Sequence, residues 1–120
     1  MRFWGMAAAL MLLTGVGLGA FGAHGLQKAR GADLLAVFET GVRYQLVHGL
    51  ALLAVAILVE RLPGVQAAGW AYLLGIVVFS GSLYLLVATG VRTWGAVTPV
   101  GGLALLAGHG LLLAAFWRAG

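Results

Sequence analysis

No cysteine occurs in the chain, so disulfides, thiolate nucleophiles and cysteine-ligated zinc are excluded from the start. Charge is nearly as scarce: 8% of the 120 residues are charged, against about 25% in a soluble domain. Only Asp33, Glu39 and Glu60 are acidic. None falls inside an apolar run, and no Ser–His–Asp pattern emerges, so any general acid–base work would fall to the histidines. The seven Lys and Arg stand singly and form no basic stripe, so the net charge of +4 does not point to nucleic acid. What the chain has instead is apolar surface. Its hydrophobic fraction is 62% and its mean hydropathy +1.06, too much to cover with the polar groups available. Its solvent is lipid.

Charges divide the sequence into four apolar stretches. Phe3–Gln27 has 25 residues without formal charge, Tyr44–Val59 has 16, Leu62–Val91 has 30 and Thr93–Trp117 has 25. A spanning helix needs about 17–25 apolar residues, and Arg43 and Arg61 can lengthen the short stretch by snorkelling to the interface. The expectation is an all-α integral membrane protein, one domain over 1–120, with four transmembrane helices in a bundle at about 3–27, 43–62, 66–91 and 98–118. Pro63-Gly64 stops the second span. Thr98-Pro99 reads as a threonine N-cap followed by proline at the first helical position. Trp4, Trp70, Trp94 and Trp117 fall near span ends, as an interfacial aromatic belt would place them. The first stretch exceeds the usual signal core of about 7–15 residues and no A-x-A cleavage site follows it, so it reads as a span rather than a secretory signal. Between the first two spans "ADLLAVFETGVR" sets Leu34, Leu35, Phe38 and Val42 on one helical face and Asp33, Glu39, Thr40 and Arg43 on the other. This short amphipathic segment is an interfacial helix or a wet extension of the second span. Arg2, Arg61 and Arg118 lie on one side, and Lys28, Arg30, Arg43 and Arg92 on the other. That split fixes no orientation under the positive-inside rule.

"GLGAFG" at 17–22 has the G-x-G-x-x-G spacing, but a pyrophosphate site needs that motif at a strand-to-helix turn. Inside a span, Gly15, Gly19 and Gly22 read as a small-residue ridge for helix packing. Gly75, Ser82 and Thr89 repeat every seven residues in the third span and read the same way, with a polar pore lining as the alternative.

The tripeptide HGL occurs three times and contains every histidine: His24, His48 and His109. Measured from Lys28 and Arg43, His24 and His48 lie about 6–8 Å inside one interface, and His109 about 16 Å deep from Thr98. The first two are therefore expected to face each other. His109 is expected to stand apart, filling a packing gap with at most one interhelical hydrogen bond. Three such depths do not converge on one ion at about 2.0–2.1 Å, so no metal and no cofactor is expected. His24, Gln27, Tyr44, Gln45, His48, Ser80, Ser82 and Tyr84 all fall in one half of the membrane, while runs such as "MAAALMLL" and "ALLAVAILV" fill the other. Polar side chains in a bilayer usually face the bundle interior or a cavity. These eight form a candidate intramembrane cluster, either a hydrogen-bonded lock or a pocket open to one side.

"GAFGAHGL", "TGVRYQLVHGLALL", "FSGSLYLL" and "TPVGG", in that order, resemble the small membrane proteins grouped as domain of unknown function 423, whose eukaryotic relatives include transmembrane protein 256. The resemblance implies a four-helix membrane protein with His24 and His48 at signature positions, and it implies no reaction. His109 lies beyond its motifs.

The role expected from these residues is non-enzymatic: a small accessory or interaction protein, in contact with the lipid bilayer and with a second copy or another membrane protein, and without nucleic acid. In a bacterium it would sit in the cytoplasmic or inner membrane. The alternative is a small transporter, channel or ligand-binding protein using the polar cluster, although four short helices leave little room for a pocket of about 300 Å³.

Overall fold

A computed structural model describes residues 1–22, 24–26 and 31–120. Its regular structure is helical throughout. Helix α1 (Arg2–Gly17) continues into a π-helical turn, Leu18–Gly22. Helix α2 covers Gly31–Leu58, α3 Val65–Thr89 and α4 Thr98–Ala119, with a 3₁₀ turn at Arg92–Ala96. Four segments are long and apolar enough to cross a membrane: Arg2–Leu26, Gly31–Leu58, Val65–Thr89 and Arg92–Ala119.

Local chemistry sets the boundaries. Leu58 closes α2 by accepting from the amides of Arg61 and Leu62, just ahead of Pro63, which cannot continue a helix. Gly90 ends α3 at φ 73°, its amide bonded to the Leu86 carbonyl, in the left-handed cap that glycine adopts without strain. The entry to α4 departs from the N-cap expectation. Val97 is the cap and Thr98 is already helical. The Thr98 hydroxyl is drawn sideways to Ser82 Oγ, 2.6 Å away, and back to the Trp94 carbonyl.

The amphipathic segment is the opening of α2 itself, so of the two expectations the extension of the second span holds. Phe38 and Val42 are buried against Val87, with Leu18 and Tyr84 beside them, while Asp33, Glu39 and Arg43 stay exposed. A continuous helix satisfies its own backbone, and the apolar face has partners on α1 and α3, so nothing favours a break.

The helices run alternately up and down. Helix α2 packs on α1 and α3, and α3 packs on α4. Close approaches fix the register. A Cβ added at Gly15 would lie 2.7 Å from Leu46, one at Gly19 3.1 Å from Val42 and one at Gly22 2.7 Å from Phe38, so all three glycines face α2. On the other flank Gly101 lies directly over the Phe79 backbone, Gly75 under Leu105 and Gly108 against the Tyr72 ring. Adjacent helices thus pair as hairpins, with residue numbers summing to a nearly constant value along each interface. Gly75 and Ser82 of the seven-residue stripe are buried towards α4, but Thr89 is exposed and bonds its own helix at Leu85.

The half of the bundle near the chain termini has a dry core of Trp4, Ala8, Leu52, Val55, Val65 and Ala68. Trp4 differs from the belt expectation. It is 4% exposed, seated over Gly69 and edge-on to Trp70 at 5.0 Å, whereas Trp117 is 85% exposed. Removing Gly69's Cβ made a slot for an indole, and packing won over the interface.

Candidate functional site

Gln45 sits where three helices meet and uses its whole amide. Its Nε2 donates to the Met11 carbonyl and to Thr14 Oγ1, both at 2.8 Å, and its Oε1 accepts from the Tyr84 hydroxyl at 2.6 Å. Thr14 passes its own proton to the Leu10 carbonyl at 2.7 Å. One side chain therefore ties α1, α2 and α3 together. Ser80 Oγ donates to the Gly41 carbonyl at 2.7 Å, a second tie between α3 and α2, and the Ser82–Thr98 pair joins α3 to α4.

A second chain of hydrogen bonds lies nearer mid-depth. His48 Nδ1 is 2.8 Å from the Tyr44 carbonyl, which can only accept, so Nδ1 carries the proton. With the ring neutral, Nε2 is then an acceptor, and the atom facing it at 3.1 Å is His109 Nε2. That nitrogen must donate. His109 Nδ1 is left as an acceptor, and the Tyr72 hydroxyl donates to it at 2.8 Å. Donor–acceptor bookkeeping thus fixes every tautomer: Tyr72 O–H to His109, His109 N–H to His48, His48 N–H to the Tyr44 carbonyl. The chain joins α3, α4 and α2. Counted from Leu58 and from Ala119, His48 and His109 each lie about 15 Å along their helices, near the middle of a hydrocarbon layer of about 30 Å.

Among the described residues no buried side-chain nitrogen or oxygen lacks a partner. In lipid this matters, because an orphaned polar group has no water to turn to. No group of three His, Cys, Asp or Glu able to hold a metal occurs among the described residues.

The chain borders a cleft of about 570 Å³ between α2 and α4, with Phe79 of α3 behind it. His48 and His109 lie at one end and Pro99 at the other, about 15 Å apart along α4. Tyr44 forms one wall, its ring 4.4 Å from Phe79 and nearly parallel to the His48 imidazole at 6.0 Å. Leu103 and Leu106, 67% and 68% exposed, form the lip that faces lipid. The volume exceeds the 300 Å³ for which four short helices seemed to leave little room, because the cleft is a seam open to the side rather than an enclosed chamber.

Of the expected cluster, Tyr84 and Gln45 are bonded together, Tyr44 and His48 stack, and Ser80 and Ser82 are buried in separate interhelical ties. His24 is exposed and belongs to none of these. It follows Gly22, which meets Phe38, so its level on α2 is about twelve residues, or roughly 18 Å, from His48. Gln27 lies outside the described residues. His109 does the opposite of what was expected: it makes two interhelical hydrogen bonds and meets His48 directly. Tyr72 and Thr14 complete the networks without a signal of their own in the sequence, and Thr98, expected as an N-cap, joins them through Ser82. The signal that finds Tyr72 and His109 is hairpin arithmetic. Folding the chain at Gly90 sets residue 72 opposite residue 108, and folding it near Arg61 sets residue 48 close to residue 73.

The comparisons agree with this architecture. Residues 18–102 match the family described as "Protein of unknown function (DUF423)". The chain is 46% identical over 109 residues to the UPF0382 membrane protein YwdK of Bacillus subtilis, covering 88% of this chain and 89% of that one. It is 43% identical over 118 residues to the UPF0382 inner membrane protein YgdD of Escherichia coli K12, covering 93% and 87%. It is 42% identical over 114 residues to the membrane protein SH2409 of Staphylococcus haemolyticus, covering 94% and 93%. No solved structure matches it. The chain is a multi-pass integral membrane protein and belongs to the DUF423 family of small membrane proteins.

Proposed function

We propose that the protein is a non-enzymatic accessory protein of the membrane, which acts by holding a partner rather than by transforming a substrate. The observation that carries this reading is a contrast in burial. The spanning windows of α2 and α3 are each 44% buried inside the bundle, those of α1 and α4 only 12% and 22%. The inner pair, locked by Gln45 and the histidine chain, forms a stiff core, and the outer helices present broad apolar faces to the bilayer. Catalysis finds little support in the same core, whose polar atoms are all engaged. A photo-crosslinking residue placed in native membranes at Leu113 of α4, which is 72% exposed, should give a discrete protein adduct. One placed at Ile57 of α2, 67% exposed, should give fewer. Lipid adducts alone from both positions would end the accessory reading.

One observation favours a second reading, a ligand-binding membrane protein. The α2–α4 cleft joins apolar walls to two histidines and a tyrosine in a volume within the 300–1,000 Å³ range of small-molecule sites.

A further inference from the structure

The α2–α4 cleft constrains its occupant by where it opens, what lines it and which hydrogen-bonding atoms remain free. Its lip is Leu103 and Leu106, both mostly exposed on the lipid-facing side of α4, so whatever enters comes from the bilayer. No Asp, Glu, Lys or Arg lines it. A charged head drawn to the level of His109 would lose its hydration with nothing to replace it, whereas a neutral carbonyl loses far less. That depth also argues against a phospholipid, whose ester and phosphate groups belong at the interface, near Pro99, and not about 15 Å further along α4.

The hydrogen-bond chain sharpens the choice. Both acceptor nitrogens are occupied, His48 Nε2 by His109 and His109 Nδ1 by Tyr72. What is left to offer is a donor. The Tyr44 hydroxyl has no hydrogen-bond partner among the described residues, and Tyr44 is 40% exposed on the cleft wall. A phenol can accept but is the better donor, so with both ring nitrogens occupied the site favours an accepting oxygen. Tyr44, Phe79 and His48 pack on one another, with rings 4.4 Å apart at 30° and 6.0 Å apart at 16°, and form an aromatic wall against which a planar head can lie.

We propose that this cleft binds a neutral, membrane-dissolved amphiphile with a carbonyl oxygen on a planar ring, of the alkylated quinone type. It is held as a ligand, with the ring lying against Tyr44 and the histidine pair and the tail leaving between Leu103 and Leu106. No electron transfer is involved. The proposal goes beyond the accessory reading and deepens the ligand-binding one, on which it rests.

The test uses the whole protein in lipid nanodiscs, titrated with decylubiquinone and followed by calorimetry. Saturable binding of one molecule per chain is expected. Leu106→Trp, at the lip and outside the hydrogen-bond chain, should weaken binding at least tenfold without lowering the melting temperature of the unliganded protein. Leu103→Trp serves if that variant does not fold. Tyr44→Phe should weaken binding about fivefold, the worth of one ordinary hydrogen bond. Decylbenzene, with the same tail and no carbonyl, should not saturate, and methyl decanoate, with an ester but no ring, should bind at least tenfold more weakly. Equal binding of decylbenzene that Leu106→Trp abolishes would keep the ligand-binding reading and overturn the carbonyl class. Equal binding of methyl decanoate would overturn the ring in favour of a lipid ester. Decylubiquinone binding that both tryptophan variants leave intact would place the ligand elsewhere, and no binding of any probe would remove proposal and ligand-binding reading together.

Discussion

The groove between α1 and α3 holds about 900 Å³ and the cleft between α2 and α4 about 570 Å³, yet only the smaller offers a hydrogen bond. Phe3, Met6, Leu10, Leu13 and Leu73 line the larger, and an acyl chain fills such a surface without any selection. The smaller is narrower because α4 presses on α3 through Gly101 and Gly108, and that approach carries His109 to Tyr72 and His48. Volume here follows from gaps between side chains. Chemical character follows from which polar atoms reach the surface: Tyr44, His48 and His109 line the smaller cleft, whereas every side chain lining the larger groove is apolar.

The sharpest way to break this comparison is a crosslink, because its outcome is all or none. Cysteines at positions 48 and 109 should join through a short reagent, since the ring nitrogens they replace are 3.1 Å apart. Cysteines at 24 and 48 should not, at a separation of about 18 Å along α2. The reverse result would return the site to the first two HGL repeats and leave the cleft without its polar end.

That reversal is also where sequence and structure part. Three spans are legible because uncharged runs of 25 or 30 residues have one physical solution in lipid, and the fourth because Arg43 and Arg61 can lengthen a 16-residue run. Gln45, His48 and Tyr84 were legible because a polar residue in such a run needs a partner. His48 lies deeper than its distance from Arg43 suggests, because Arg43 does not mark the membrane boundary. Arg43 lies twelve residues inside a 28-residue helix, and a long side chain can reach the interface from well below it. Charge therefore marked where a guanidinium ends and not where the helix enters. His109 meets His48 for the same reason: depths counted from different ends of different helices are not comparable, and the hairpin registers set the two rings at one level. His24 stands apart because α1 and α2 pair through Gly15, Gly19 and Gly22, which carries the second turn of α2 to its level.

Among substitutions, Gln45→Leu should be the most damaging on the polar side. It removes three interhelical bonds and takes from the Tyr84 hydroxyl its acceptor on α2. Interhelical bonds in lipid average about 0.6 kcal/mol and reach about 1.7 kcal/mol, so a loss of about 2–4 kcal/mol is expected, read as a lower midpoint of thermal unfolding in detergent. Gln45→Glu keeps the shape and one acceptor and should not restore the stability, because both donated bonds are gone.

The histidine pair comes next. His48→Leu and His109→Leu should each cost about 1–2 kcal/mol, because each strands partners. His109→Leu leaves the Tyr72 hydroxyl without its acceptor, so it is not the tolerated change that a lone packing histidine would give. In a double-mutant cycle the pair should show a coupling of about 0.6–2 kcal/mol. Additive losses would mean that the 3.1 Å contact contributes nothing, and the cleft would then owe its polar end to two independent rings.

The smallest effect belongs to the larger groove. Leu13 is 73% exposed on α1 and faces only lipid or detergent, which closes over a shortened side chain. Leu13→Ala should therefore change stability by less than about 0.5 kcal/mol. Leu105→Ala, by contrast, empties a position 4% exposed against Gly75 and should cost about 2–5 kcal/mol. Unfolding of both variants at two protein concentrations decides the matter. A concentration-dependent loss at Leu13→Ala would mean that a second copy fills the α1–α3 groove, and the plainer of the two surfaces would become the interface that the accessory reading requires.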